Sequence, residues 1–521
     1  MTYRMLIMIH KKIHLLCFSL TLLLSVVFAH GAQAQIGTRD ELSDEPYCGI
    51  EYKVIMGLKV PELGAYSVWD TIWGEVGEEE FFQTGDIIAG AQIFLVGKKK
   101  AILNSNDEVV KPERLLVART RDNGRIRWMK EYDLPNFERV VKILKDGRGG
   151  YYIFANIYDQ NAENQMRKIW IGSVNKDGEL ESSKEITHKT NNIRVNDVIP
   201  MPETAVKMER AHFLMSAAAP VVAKGEMDDV STIIYQLDHK MNIVKERAII
   251  LGKSNGILEL RRTDGSSVEP PGYFGVGYSY NNHDKKVGWL VKLDDYAGVM
   301  WQRQYPRGVA SELVAGDFLM ADAIVMVGTS APLIRDGVRS SWAVAASRAD
   351  GRVIWERFFT GEVEYFGKDL VVNDNGLVAV MMDGEVPPED ATATIKSMQK
   401  SLDGDEEQDR KVNSMMSSAP DFVKESKRPH VRLITLNPRG VVMGDNAYYN
   451  AQALSAHRIL LGEAGERIMI GETKARYTID EKRNGEDDTD AVVHSFDGWV
   501  AEAVPAPDYE DPCQPKPYRG L

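Results

Sequence analysis

A turn-and-aromatic pattern, repeated along most of the chain, constrains the fold more than any other feature. Thr120-Arg121-Asp122-Asn123-Gly124 leads to Trp128 and Tyr132. Lys292-Leu293-Asp294-Asp295-Tyr296-Ala297-Gly298 leads to Trp301 and Tyr305, and Ser347-Arg348-Ala349-Asp350-Gly351 leads to Trp355 and Phe359. Fainter copies are Asn175-Lys176-Asp177-Gly178, Leu237-Asp238-His239-Lys240 and Asn437-Pro438-Arg439-Gly440. The turns recur about every 54–62 residues, with one interval of about 88 that contains an insertion. An Asp/Asn-Gly turn between alternating runs is a hairpin signal. Each turn follows a run such as Trp289-Leu290-Val291-Lys292-Leu293, and two further apolar runs precede that one, as in Val140 to Leu144 and Tyr151 to Ala155. Four short strands per unit, with no helix between them, form a propeller blade. The units span 80–132, 137–187, 193–249, 256–305, 311–361, 365–448 and 452–503. The reading is an all-β propeller of seven four-stranded blades, with six or eight as the alternatives.

The last unit shows three strands, and a ring must hide its two open edges. The expectation is that an N-terminal strand, Glu51-Tyr52-Lys53-Val54-Ile55-Met56, joins the last blade and closes the ring. Residues 35–79 thus form an N-terminal segment, 80–505 the propeller and 506–521 a tail.

Residues 1–34 read as a processing signal. Arg4, Lys11 and Lys12 precede an apolar run from Leu15 to Phe28, and Ala32-Gln33-Ala34 offers a small-x-small cleavage site. The run is short for a membrane span, which needs about 20 apolar residues, and no later segment is long enough. The chain is therefore expected to be exported, to the periplasm or beyond, without a membrane span once the leader is cleaved. Cys17 would leave with the leader, so Cys48 and Cys513 would be the remaining cysteines. In an oxidising compartment they are expected to pair. Such a bridge would pin the ring closure and, on chain entropy, contribute about 4–5 kcal/mol.

The tryptophans at repeat-related places, Trp128, Trp170, Trp289, Trp301, Trp342, Trp355 and Trp499, are expected to pack blade against blade, since large rigid rings fill wedge-shaped gaps. The run Gly288-Trp289-Leu290-Val291-Lys292-Leu293-Asp294, then Gly298 and Trp301-Gln302-Arg303-Gln304-Tyr305, resembles the repeats of secreted bacterial propellers with pyrroloquinoline-quinone-like motifs. The resemblance covers roughly residues 110–505. It implies a propeller fold and leaves function open, because such proteins include quinoprotein dehydrogenases, outer-membrane assembly factors and exported proteins of other roles.

The chemistry legible in the sequence is sparse. A net charge of −13 argues against a nucleic-acid partner. His188, His212, His239, His283, His430, His457 and His494 show no local zinc spacing. Glu486-Asp487-Asp488-Thr489-Asp490 lacks the order of a calcium loop and reads as a solvated hairpin tip. There is no G-x-S-x-G and no phosphate-binding glycine loop. The adjacent Cys-Cys pair of quinoproteins is missing as well. No catalytic residue, cofactor or metal ligand is assigned.

Residues 384–429 interrupt the sixth unit and open on Pro387-Pro388. Met398, Met415 and Met416 give this insertion a small adaptable apolar face, a candidate for partner binding. The expected function is a monomeric, non-catalytic envelope scaffold that binds a protein or other ligand. The alternatives are a part in outer-membrane protein assembly, and an enzyme using carboxylates gathered in the central channel.

Overall fold

In the computed structural model the described residues are 53–56 and 67–506, leaving aside several connections between strands, the longest being 386–428 and 480–490. The leader, Cys48, Cys513, the acidic run 486–490, Met398, Met415 and Met416 all lie outside the described residues.

Seven antiparallel sheets of consecutive strands follow one another along the chain. Blades 1 to 7 span 80–133, 137–186, 194–249, 255–305, 310–359, 364–448 and 453–502. Their innermost strands touch in an unbroken cycle, the seventh meeting the first, so the sheets form a ring around a central channel. Seven hydrophobic clusters stand at the seven joints. In blade 5, Trp342, Val344 and Ala346 face blade 4, while Ala343 and Ala345 face blade 6. Both faces of each sheet are covered, and this is why the middle strands read as continuous apolar runs rather than as alternating ones.

The ring is closed by an N-terminal strand in the last blade, as the missing strand required. The strand that does so is Trp69–Trp73, which pairs antiparallel with Ala491–Glu502. The Glu51 to Met56 stretch does not take this place. Its residues Lys53–Met56 run parallel to Val353–Phe359 as a fifth strand on the outer edge of blade 5. A physical reason favours Trp69–Trp73: Trp69 packs on the Gly124 turn of blade 1, and Trp73 meets Phe82 of blade 1 at 6.2 Å. The stretch 51–56 carries no tryptophan for that joint.

The same joint recurs around the ring. In blades 1 to 6 the turn between the third and fourth strands holds one residue at positive φ: Gly124, Gly178, Met241, Ala297, Gly351 and Gly440. Trp69, Trp128, Trp301 and Trp355, each on the outer strand of one blade, press on Gly124, Gly178, Gly351 and Gly440 of the next. A Cβ on Gly440 would lie 2.7 Å from Trp355 Cδ2, and one on Gly351 2.9 Å from Trp301 Cζ3. Tyr305 donates its hydroxyl to the Gly351 carbonyl at 2.7 Å, and Trp355 Nε1 donates to Pro438 O at 2.9 Å. In blades 2 and 3 the residue in the tryptophan's register is Ser182 or Lys245. There the following turn carries a side chain, Met241 or Ala297, buried in the joint. Volume is conserved across each of these joints: tryptophan against glycine, or a smaller or more flexible side chain against methionine or alanine. Trp170, Trp289, Trp342 and Trp499 sit instead on third strands, each at most 5% exposed.

Candidate functional site: the central channel

Every innermost strand carries a β-bulge at the same level. The extra residues are Gln83, Val141, Asn196, Leu258, Val314, Lys368 and His457. A bulge leaves a backbone N–H without a partner in its own sheet. Side chains of the preceding blade supply the missing acceptor. Asp197 of blade 3 accepts from Leu260 N at 2.8 Å, Glu259 of blade 4 from Gly316 N at 2.7 Å, and Asp369 of blade 6 from Ile459 N at 3.0 Å. The acceptors each follow their own bulge by one residue, and the donors follow theirs by two. This repeated geometry places five charged side chains, Lys142, Asp197, Glu259, Asp369 and Arg458, on one level of the channel.

These groups pair with one another. Lys142 Nζ lies 2.9 Å from Asp197 Oδ1. Arg261 Nη2 lies 2.9 Å from Glu259 Oε1. Arg458, from blade 7, reaches Asp369 of the neighbouring blade at 3.4 Å and Glu259 of blade 4 at 3.6 Å. Blades 4 and 7 stand on opposite sides of the ring, so this guanidinium spans the channel. Burial pushes the Glu259 carboxyl up; Arg261 and Arg458 oppose that, and Asp369 and Asp197 add to it. For Arg458, burial alone would lower the pKa, but Asp369 and Glu259 outweigh it and hold the group above its ordinary value.

Strand polarity makes the two ends of the channel unlike. Each blade is an up-and-down run of four strands, so every innermost strand starts on the same face. The connections between first and second strands and between third and fourth strands share the opposite face, and most are tight turns. Those between second and third strands open on the starting face. They include the longest, Glu385 to His430, as well as Ile479 to Ala491, and in blade 1 a small two-stranded sheet of Ile102–Leu103 and Val109–Lys111. We call this the loop face.

At the loop-face mouth of the channel, Arg139 and Arg194 occupy equivalent positions in blades 2 and 3, two residues ahead of their bulges. Arg167 Nε and Arg194 Nη2 converge on Glu138, at 2.9 and 3.5 Å. Arg139 is exposed to solvent. Protein nevertheless surrounds it: burial lowers its pKa, Glu138 opposes this, and the charges of Arg194 and Arg458 lower it further. A side chain that is both wet and enclosed lies in a concavity.

Among the described residues no three His, Cys, Asp or Glu are placed to hold a metal ion. The His212 and His239 rings meet edge to face at 5.4 Å. His430 lies inside the fold. It is fully buried and faces the Tyr365 hydroxyl at 3.3 Å. His188 is buried as well. Among the described residues no helix is long and apolar enough to cross a membrane.

No family model matches the chain, and no curated protein matches it. Solved structures do. The Pan2 WD40 domain of Neurospora crassa is similar over 81% of this chain and 89% of its own, at 9% identity and a TM-score of 0.38. Sqt1 from Chaetomium thermophilum covers 78% of this chain and 97% of its own, at 11% identity and a TM-score of 0.38. A puromycin-hydrolyzing peptidase from Mycobacterium tuberculosis covers 80%, at 11% identity and a TM-score of 0.38, and this chain spans 51% of that one.

Proposed function

We propose that this protein is an exported, non-catalytic binding scaffold whose working surface is the loop face. The observation that carries the reading is the division of labour between the two faces. On one face most connections are tight turns, Pro200 to Phe213 being the longest there, and the channel wall is built from bulges and reciprocal cross-links, whereas the longest connection, Glu385 to His430, opens on the other face. Loops held by a rigid frame are where binding surfaces are made. The blade-to-blade tryptophan–glycine joints also support the likeness to propellers with pyrroloquinoline-quinone-like repeats.

The raised pKa of Glu259 is what an enzymatic reading would draw on, because perturbed carboxyls mark active sites. The geometry argues otherwise. Glu259 Oε2 accepts the Gly316 N–H and Oε1 faces two guanidinium groups, so neither oxygen is free to take a substrate proton. Asp197 and Asp369 are committed in the same way. These carboxylates join blades.

Affinity capture from a cell-envelope extract tests the proposal. The bait is the full chain, compared with a chain in which residues 386–428 are replaced by a short Gly-Ser link. The expected result is a defined envelope protein held by the full chain and lost or strongly reduced with the replacement. Turnover of a glycan or ester library by the purified chain, abolished by Glu259→Gln, would contradict it.

A further inference from the structure

The concavity at the loop-face mouth has a charge that the rest of the molecule does not explain. The chain as a whole carries −13, yet three arginines gather here around one carboxylate. Glu138 receives Arg167 at 2.9 Å and Arg194 at 3.5 Å. Arg167 is further held over the Tyr158 ring, 5.0 Å from its centroid. The Arg139 side chain makes no hydrogen bond or ion pair among the described residues, although those of Arg167 and Arg194 on this mouth do. One level deeper, the Arg458 guanidinium adds a further positive charge, and the carboxylates around it are already committed to guanidinium, ammonium and backbone donors.

We propose that this mouth is an oxyanion site, in which Arg139 and Arg194, backed by Arg167, take a carboxylate or phosphate group of the ligand. The inference rests on the scaffold reading and names the chemistry of what the loop face receives. Three features support it. A planar guanidinium with free N–H groups matches an oxyanion in two-point fashion. Arg139 and Arg194 come from equivalent places on adjacent blades, so the frame of the ring sets their spacing. Arg139 also stands among like charges in a concave, partly desolvated place, where an incoming anion relieves repulsion as well as forming hydrogen bonds.

Titration calorimetry on the full chain at low ionic strength tests the site, with citrate and inorganic phosphate as probes and glucose as the uncharged control. Binding of one or both anions, one per chain, is expected, with none of glucose. Arg139→Gln and Arg194→Gln should each weaken it about tenfold and the double variant about a hundredfold. Lys240→Gln, in a turn on the opposite face, should leave it unchanged, and raising the salt should weaken it. Citrate binding the tighter points to a carboxylate ligand, and phosphate binding the tighter to a phosphorylated one. No binding of either anion at millimolar concentration would overturn the site, and so would undiminished binding by a double variant that melts like the parent. Failure of the anions with loop-dependent capture intact removes this site and spares the scaffold; loss of capture with anion binding intact does the reverse.

Discussion

Replacing Gly440 with alanine should destabilise the protein by roughly 3 kcal/mol, and the same change at Gly465 by about 1 kcal/mol. Gly440 sits in the turn between the third and fourth strands of blade 6 and Gly465 in the turn between the first and second strands of blade 7, with φ of 73° and 89°, so both pay the left-handed penalty of an L side chain. They differ in what a Cβ would meet. At Gly465 nothing lies within 4 Å. At Gly440 the Trp355 ring stands 2.7 Å away, 2% exposed and tethered through Nε1 to Pro438 O. A ring so held cannot step aside, so the overpacking cost adds to the backbone cost. Urea unfolding of the two variants measures the difference. Trp355→Leu should reduce the extra penalty of Gly440→Ala, because the steric part acts through that ring. Equal losses at the two glycines would show that backbone conformation alone selects glycine here, and that the tryptophan joints are incidental.

The second large effect lies in the channel. Arg458→Met removes the cation that faces Asp369 and Glu259, whose side chains are 3% and 2% exposed. Glu259 keeps Arg261 at 2.9 Å. Asp369 keeps its bonds from Ile459 N and Leu370 N, and becomes a buried charge with no counter-charge at that distance. Breaking a buried pair costs about 3–5 kcal/mol. These contacts are longer than ideal and Arg458 is 21% exposed, so the low end, about 3 kcal/mol, is expected at neutral pH. The sign of the pH dependence follows. Burial already raises the folded-state pKa of Glu259 above its unfolded value, and without Arg458 one of the two cations opposing that rise is gone. A carboxyl shifted that way contributes stability that is present below the unfolded pKa and lost as pH rises through the folded pKa. The variant should therefore lie closer to the parent at about pH 4 than at pH 7. Arg458→Met combined with Asp369→Asn should recover part of the loss at pH 7. A pH-independent deficit, or no rescue, would mean that the channel charges do not cross-link the ring.

These two cases show which signals the sequence carried and which it did not. The blade boundaries were legible because Asp/Asn-Gly turns and apolar runs are local, and observed and expected spans differ by only a few residues. The reason for each Trp and Gly was not legible one repeat at a time, since Trp355 meets Gly440 across a blade boundary. Aligning Ser182 with Met241 and Lys245 with Ala297 against the tryptophan–glycine pairs would have exposed it. The closing strand was misplaced for a related reason: 51–56 alternates well, but Trp69 is the residue that completes the repeated joint. The channel set was hidden because bulges leave no mark in a single sequence. Lys142, Asp197, Glu259, Asp369 and Arg458 differ in type, so periodicity could not bring them together, and no motif marks Arg139 or Arg194 in the sequence.

The account's central claim is that the loop face is the working face. Site-specific photocrosslinking tests it most directly. A photoreactive amino acid is placed at Arg194 or Asn281 on the loop face, and at Asp177 or Asp350 in turns of the opposite face, and each full chain is irradiated in envelope extract. The account predicts discrete crosslinked products from the loop-face positions and none from the turn face. Products confined to Asp177 and Asp350 would contradict it.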